Sequence, residues 1–69
     1  MLDIIITQEA TWFGKTTERT DHYSIKDTRD AVNEIKDFLR RSVDAGELNW
    51  FIFETADGFQ IDAYRKGMN

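Results

Sequence analysis

The only histidine of the chain, His22, follows Asp21, and an imidazole beside a carboxylate is the pairing that general-base catalysis uses. The pairing fails on geometry. Residues 17–25 are rich in β-branched and aromatic types and read as a strand, in which successive side chains point to opposite faces, so Asp21 cannot orient His22. Ser24 and Ser42 lie in no nucleophile-elbow pattern, and there is no second histidine to complete a triad. One histidine and no cysteine cannot make a zinc site without several carboxylates. The run Asp57-Gly58-Phe59-Gln60-Ile61-Asp62 lacks the alternating acids and terminal glutamate of a calcium loop. The glycines, at 14, 46, 58 and 67, are too dispersed to cradle a phosphate. The sequence therefore predicts a protein that is not an enzyme, with no catalytic residue, no metal and no cofactor, and turns attention to contact surfaces.

The elements that position such surfaces belong to a single domain, residues 1–69, because the chain is too short for two. It lies just under the roughly 70–80 residues below which one apolar core seldom suffices, and without cysteine no disulfide can reinforce it. Burial against a partner or a second copy is expected to help. A content of 41% hydrophobic and 13% aromatic residues is too apolar for a disordered tail, while 32% charged residues suit a soluble surface. The longest apolar runs, Ile4-Ile5-Ile6 and Trp50-Phe51-Ile52-Phe53, fall far short of the ~18 residues of a membrane helix, and Met1-Leu2-Asp3 lacks a basic signal-peptide start. Cytoplasmic residence without membrane association is the expectation.

Along the chain, residues 2–7 alternate as a strand with Leu2, Ile4 and Ile6 on one face. Gly14 supplies a turn, and residues 17–25 form an edge strand with Tyr23 and Ile25 inward, His22 and Ser24 outward. Asp27 is the expected N-cap of a helix whose stripe of Ala31, Val32, Ile35, Phe38, Leu39 and Val43 recurs at spacings of three and four. Arg29, Glu34, Lys36, Asp37, Arg40 and Arg41 make its solvated face, and Gly46 ends it near Ala45 as the C′ residue. Residues 48–55 and 59–65 then form a hairpin around Ala56-Asp57-Gly58. The fold class is α+β: a two-layer ββαββ domain whose small sheet, antiparallel or mixed, carries one helix on one face. Its first strand is either central beside the last hairpin or part of a meander of two hairpins.

Register decides what the last hairpin exposes. A two-residue turn at Asp57-Gly58 places Trp50, Ile52, Glu54, Phe59, Ile61 and Arg65 on one face, mixing charge into the apolar side. A three-residue loop, 56–58, sets Thr55 opposite Phe59 and gathers Phe51, Phe53, Phe59, Ile61 and Ala63 into one apolar face. A slip of one residue inverts every side chain, so segregation selects the second register. Trp50, Ile52, Glu54, Gln60, Asp62 and Tyr64 are then on the other face, which the single helix cannot also cover. An exposed cluster of Trp50, Ile52 and Tyr64, joined by Ile5 and rimmed by Glu54 and Asp62, has the composition of a protein contact surface. Trp12 and Phe13, beside Gly14, are a second candidate, either folded over the end of the core or a rigid anchor for a partner.

Thirteen acids against nine bases, spread along the chain, disfavour unspecific binding to phosphate backbones. Trp50 with Tyr64 could stack unpaired bases, but Glu54 and Asp62 on the same face would repel phosphates, so direct nucleic-acid binding is disfavoured. In its size, its acidic, proline-free composition and its expected build of one helix on a small antiparallel sheet, the whole chain resembles the inhibitors that phages and mobile elements encode against bacterial defences, the anti-CRISPR proteins among them. That resemblance rests on no motif. It implies a stoichiometric inhibitor docking on a nucleic-acid-binding surface of a host defence complex, with Glu54 and Asp62 meeting basic residues there. The alternative is a structural or regulatory homodimer that buries Trp50, Ile52 and Tyr64 by symmetry.

Overall fold

A computed structural model describes residues 1–67. Strands β1 (Leu2–Trp12) and β2 (Lys15–Ile25) form a long hairpin, helix α1 (Arg29–Asp44) follows, and β3 (Trp50–Thr55) and β4 (Ile61–Arg65) form a second hairpin. The sheet order is β2-β1-β3-β4 with every pairing antiparallel, so the expected α+β, ββαββ architecture holds and β1 is central beside the last hairpin.

Alternation builds the core. Ile4 and Ile6 of β1 face the same side as Phe51 and Phe53 of β3, and α1 closes this side with Val32, Leu39 and Val43, all buried. Phe51 and Phe53 are fully enclosed. Burial of each removes about 1.5–3 kcal/mol worth of apolar surface from water, which makes them the anchors of a small core. Phe38, expected in the apolar stripe, is instead 62% exposed: α1 lies over β3 and β4, and this side chain falls on the flank that overhangs β1 and β2.

The first hairpin is longer than its sequence pattern indicates. β1 continues through Gln8–Trp12, where apolar alternation is weak, because cross-strand pairs replace burial: Thr7 Oγ1 lies 3.1 Å from Thr20 Oγ1, and Thr11 Oγ1 lies 2.9 Å from Thr16 Oγ1. Phe13 and Gly14 close it as a two-residue turn with φ of 52° and 78°, the positive pair that matches the twist of a tight hairpin.

The helix begins one residue later than Asp27 implies. Thr28 is the N-cap, extended at φ −132° and ψ 151°, and its hydroxyl accepts from Ala31 N–H at 3.1 Å. The other end follows expectation: Ala45 is the C-cap, and Gly46, at φ +82°, turns the chain away as its N–H donates to the Val43 carbonyl.

Candidate protein-binding surface

The β3–β4 register overturns the selected pairing. Trp50 stands opposite Arg65, Ile52 opposite Ala63, Phe53 opposite Asp62 and Glu54 opposite Ile61, which is the register set aside for mixing charge with apolar groups. The turn imposes it. Thr55 Oγ1 donates to Asp57 Oδ1 at 2.7 Å, Phe59 N–H donates to the same oxygen at 3.0 Å, and Gln60 N–H donates to Thr55 Oγ1 at 2.9 Å. These bonds pair Thr55 with Gln60 and leave Phe59 in the loop, 87% exposed. The Thr55 bond and then the Phe59 amide hold the Asp57 carboxyl below its usual range.

Asp62 and Tyr64 therefore face the helix, not the open side. Asp62 Oδ2 accepts from Arg40 Nη2 at 2.9 Å and lies 3.5 Å from Lys36 Nζ. Tyr64 packs its ring 6.2 Å from that of Phe51 and donates to Asp44 Oδ1 at 2.7 Å, a bond that raises the phenol above its ordinary pKa. Lys36 and Arg40, expected on a solvated helix face, lie over the rings of Phe53 and Tyr64 at 5.1 and 6.0 Å. Their charged ends satisfy Asp62 of β4 while their stems line the rim of the core, so separation of charged from apolar residues is no guide to register here. Phe59, Ile61 and Ala63 are consequently outside the core.

The open face consists of the odd residues of β1 and the even residues of β2 and β3, with Ile61, Ala63 and Arg65 of β4. One row across the sheet reads His22, Ile5, Glu54, Ile61; the next, Thr20, Thr7, Ile52, Ala63; the third, Glu18, Glu9, Trp50, Arg65. Trp50, Ile52 and Glu54 are thus brought together with Ile5, as expected, while Tyr64 and Asp62 are replaced by Ile61 and Arg65. A stacking platform of Trp50 with Tyr64 does not form, since Tyr64 pairs with Phe51 and so lies on the face of the sheet opposite Trp50. Trp50 is pinned: its indole N–H donates to the Glu9 carboxylate.

Charge gathers on this face although it is spread along the sequence. Asp3, Glu9, Glu18 and Glu54 stand here against Arg65, four of the chain's 13 acids and one of its nine bases. Asp3 is tied to Ser24 Oγ at 2.6 Å, leaving Glu18 and Glu54 as the freer acids around the apolar centre. Glu9 and Glu18 do not stand out in the sequence. The signal was latent in the alternation of β1, whose extension past Thr7 puts Glu9 in register with both Glu18 and Trp50.

At the tip of the first hairpin, Trp12 is 62% and Phe13 fully exposed, so the two do not fold over the core. On the helix side, the overhang of α1 leaves a groove lined by Ile6, Tyr23, Ile25, Ile35 and Phe38 that sequence alternation gave no reason to expect. Asp21 and His22 lie on opposite faces of β2, with Asp21 bonded to Arg19 Nε at 2.6 Å. Among the described residues no three His, Cys, Asp or Glu side chains converge to hold a metal, and no helix is long and apolar enough to cross a membrane. No protein-family model, curated protein or solved structure matches the chain.

Proposed function

We propose that the protein is a non-enzymatic binding module that docks its open sheet face on a basic, nucleic-acid-binding surface of another protein, in the manner of the phage-type inhibitors it resembles. The observation that carries this reading is the coincidence of an apolar centre, Ile5, Ile52 and Ile61 with the pinned Trp50, and an acidic surround, Glu9, Glu18 and Glu54, on the face that the helix leaves uncovered. An apolar centre supplies affinity, and charges around it select the sign of the partner and speed encounter. Rigidity adds to this, because side chains on paired strands lose little freedom on binding.

The test is affinity capture from nuclease-treated bacterial lysate on immobilised wild type, Ile52→Arg and Glu54→Lys, with elution by oligonucleotide. The reading expects a protein retained by wild type, lost by both variants and displaced by the oligonucleotide. Equal retention by all three, or retention insensitive to oligonucleotide, would refute it.

A further inference from the structure

Strand β2 is an 11-residue edge with no proline and an unbroken one-to-one register against β1. A long, regular edge is a template for another strand unless something blunts it. Which groups it offers follows from the ladder. Ala56 N–H donates to the Asp3 carbonyl at 2.9 Å, so odd residues of β1 bond toward β3 and even ones toward β2. Even residues of β1 pair with odd residues of β2, as Ile4 with Tyr23 and Ile6 with Asp21. Thr16, Glu18, Thr20, His22 and Ser24 therefore direct their N–H and C=O groups to the free edge.

The sequence of this edge is complementary to its own reverse about Thr20. Set antiparallel to a second copy with Thr20 on the two-fold axis, Glu18 meets His22, Arg19 meets Asp21 and Thr16 meets Ser24 of that copy. Shifting the register by two residues in either direction places Arg19 against Arg19 or Asp21 against Asp21. Opposite charges directly across a strand pair stabilise it and like charges do the reverse, so one register is singled out. Arg19 and Asp21 already form an ion pair at 2.6 Å on the helix side, and the two-fold axis would close the two pairs into a ring of four alternating charges. On the open face, the imidazole N–H of His22 of the second copy would be a hydrogen-bond donor beside Glu18, which stands opposite Glu9. The helix packs on β3 and β4 and overhangs β2 only across the groove at Tyr23, Ile25 and Phe38, on one face of the sheet and not along the strand's free hydrogen-bonding edge.

We infer that β2 is a homodimerisation edge: two copies join antiparallel through it, with Thr20 at the axis, into one continuous sheet of twice four strands. Both helices then lie on one side and both open faces on the other. This goes beyond the docking reading and shares only Glu18 with it, while the variants that test it, at Arg19, Thr20 and Asp21, lie outside the docking set, so either can fail without the other.

The experiment is light scattering coupled to size exclusion at submillimolar concentration, on wild type, Arg19→Asp, Asp21→Arg, an equimolar mixture of those two, and Thr20→Pro. Wild type is expected at twice 8.1 kDa, each charge variant at 8.1 kDa, and the mixture at twice that mass again, because every opposed pair in the heterodimer regains opposite signs. Thr20→Pro removes an N–H that faces outward, so it should keep the circular dichroism of the fold and be monomeric. A monomeric wild type, a dimer that survives in the three variants, or a mixture that stays monomeric would overturn the inference.

Discussion

Arg40 Nη2 lies 2.9 Å from Asp62 Oδ2, tying the middle of the helix to the outer strand of the second hairpin. Asp62 also receives Lys36, so one carboxylate gathers two cations at the rim of the core. Partly exposed pairs of this kind contribute about 0.5–1 kcal/mol. Asp62→Ala should destabilise the domain by about that amount, and a double-mutant cycle with Arg40→Ala in urea should show coupling of the same size. An Asp62 on the open face would show none.

The two phenylalanines nearest the second turn separate the registers more sharply. Phe53 is fully buried and Phe59 is 87% exposed. Phe53→Ala should cost about 3–5 kcal/mol, enough to unfold much of so small a domain, whereas Phe59→Ala should stay within about 0.5 kcal/mol. Chemical denaturation reads both.

Comparison of these positions shows where the sequence is a sufficient guide. Alternation in residues 2–6 and the three-and-four spacing of Val32, Leu39 and Val43 specify the core because those side chains have no other means of leaving water. The ββαββ order follows from them. Register of the last hairpin does not, because it is fixed by hydrogen bonds among Thr55, Asp57, Phe59 and Gln60 and by cations arriving from a distant helix. The β3 part of the expected contact cluster, Trp50 and Ile52 with Glu54, survives the slip beside Ile5 because β3 is the middle strand of its pairings and its faces are set by Phe51 and Phe53. Tyr64 and Asp62 change sides because β4 has no such internal constraint.

Phe13 occupies the first position of the tight turn at φ 52°, a conformation that costs an ordinary side chain roughly 1 kcal/mol or more. Phe13→Asn should therefore raise stability by about 1 kcal/mol in thermal or urea denaturation. A loss of stability on that change would mean that the exposed ring has packing partners.

Asp57 gives the domain an acid-sensitive turn. Its carboxyl titrates below the ordinary value of 3.8 in the folded chain, so the folded state favours the ionised form. The stability it contributes is present above the unfolded value and is lost as pH falls through the lower, folded one. Thermal melts of wild type should weaken from about pH 4 downward relative to Asp57→Asn, and parallel profiles would remove Asp57 from the acid response.

The isoleucines divide between the two layers: Ile5, Ile52 and Ile61 belong to the open face, while Ile4, Ile6, Ile25 and Ile35 belong to the helix side. Methyl NMR of isoleucine-labelled protein, titrated with the partner that wild type captures, tests the docking face directly. Docking through the open face predicts large shifts or broadening of the first three methyl signals and little change in the other four. Perturbation centred on Ile25 and Ile35, with Ile5, Ile52 and Ile61 unmoved, would contradict it and place the contact on the helix side.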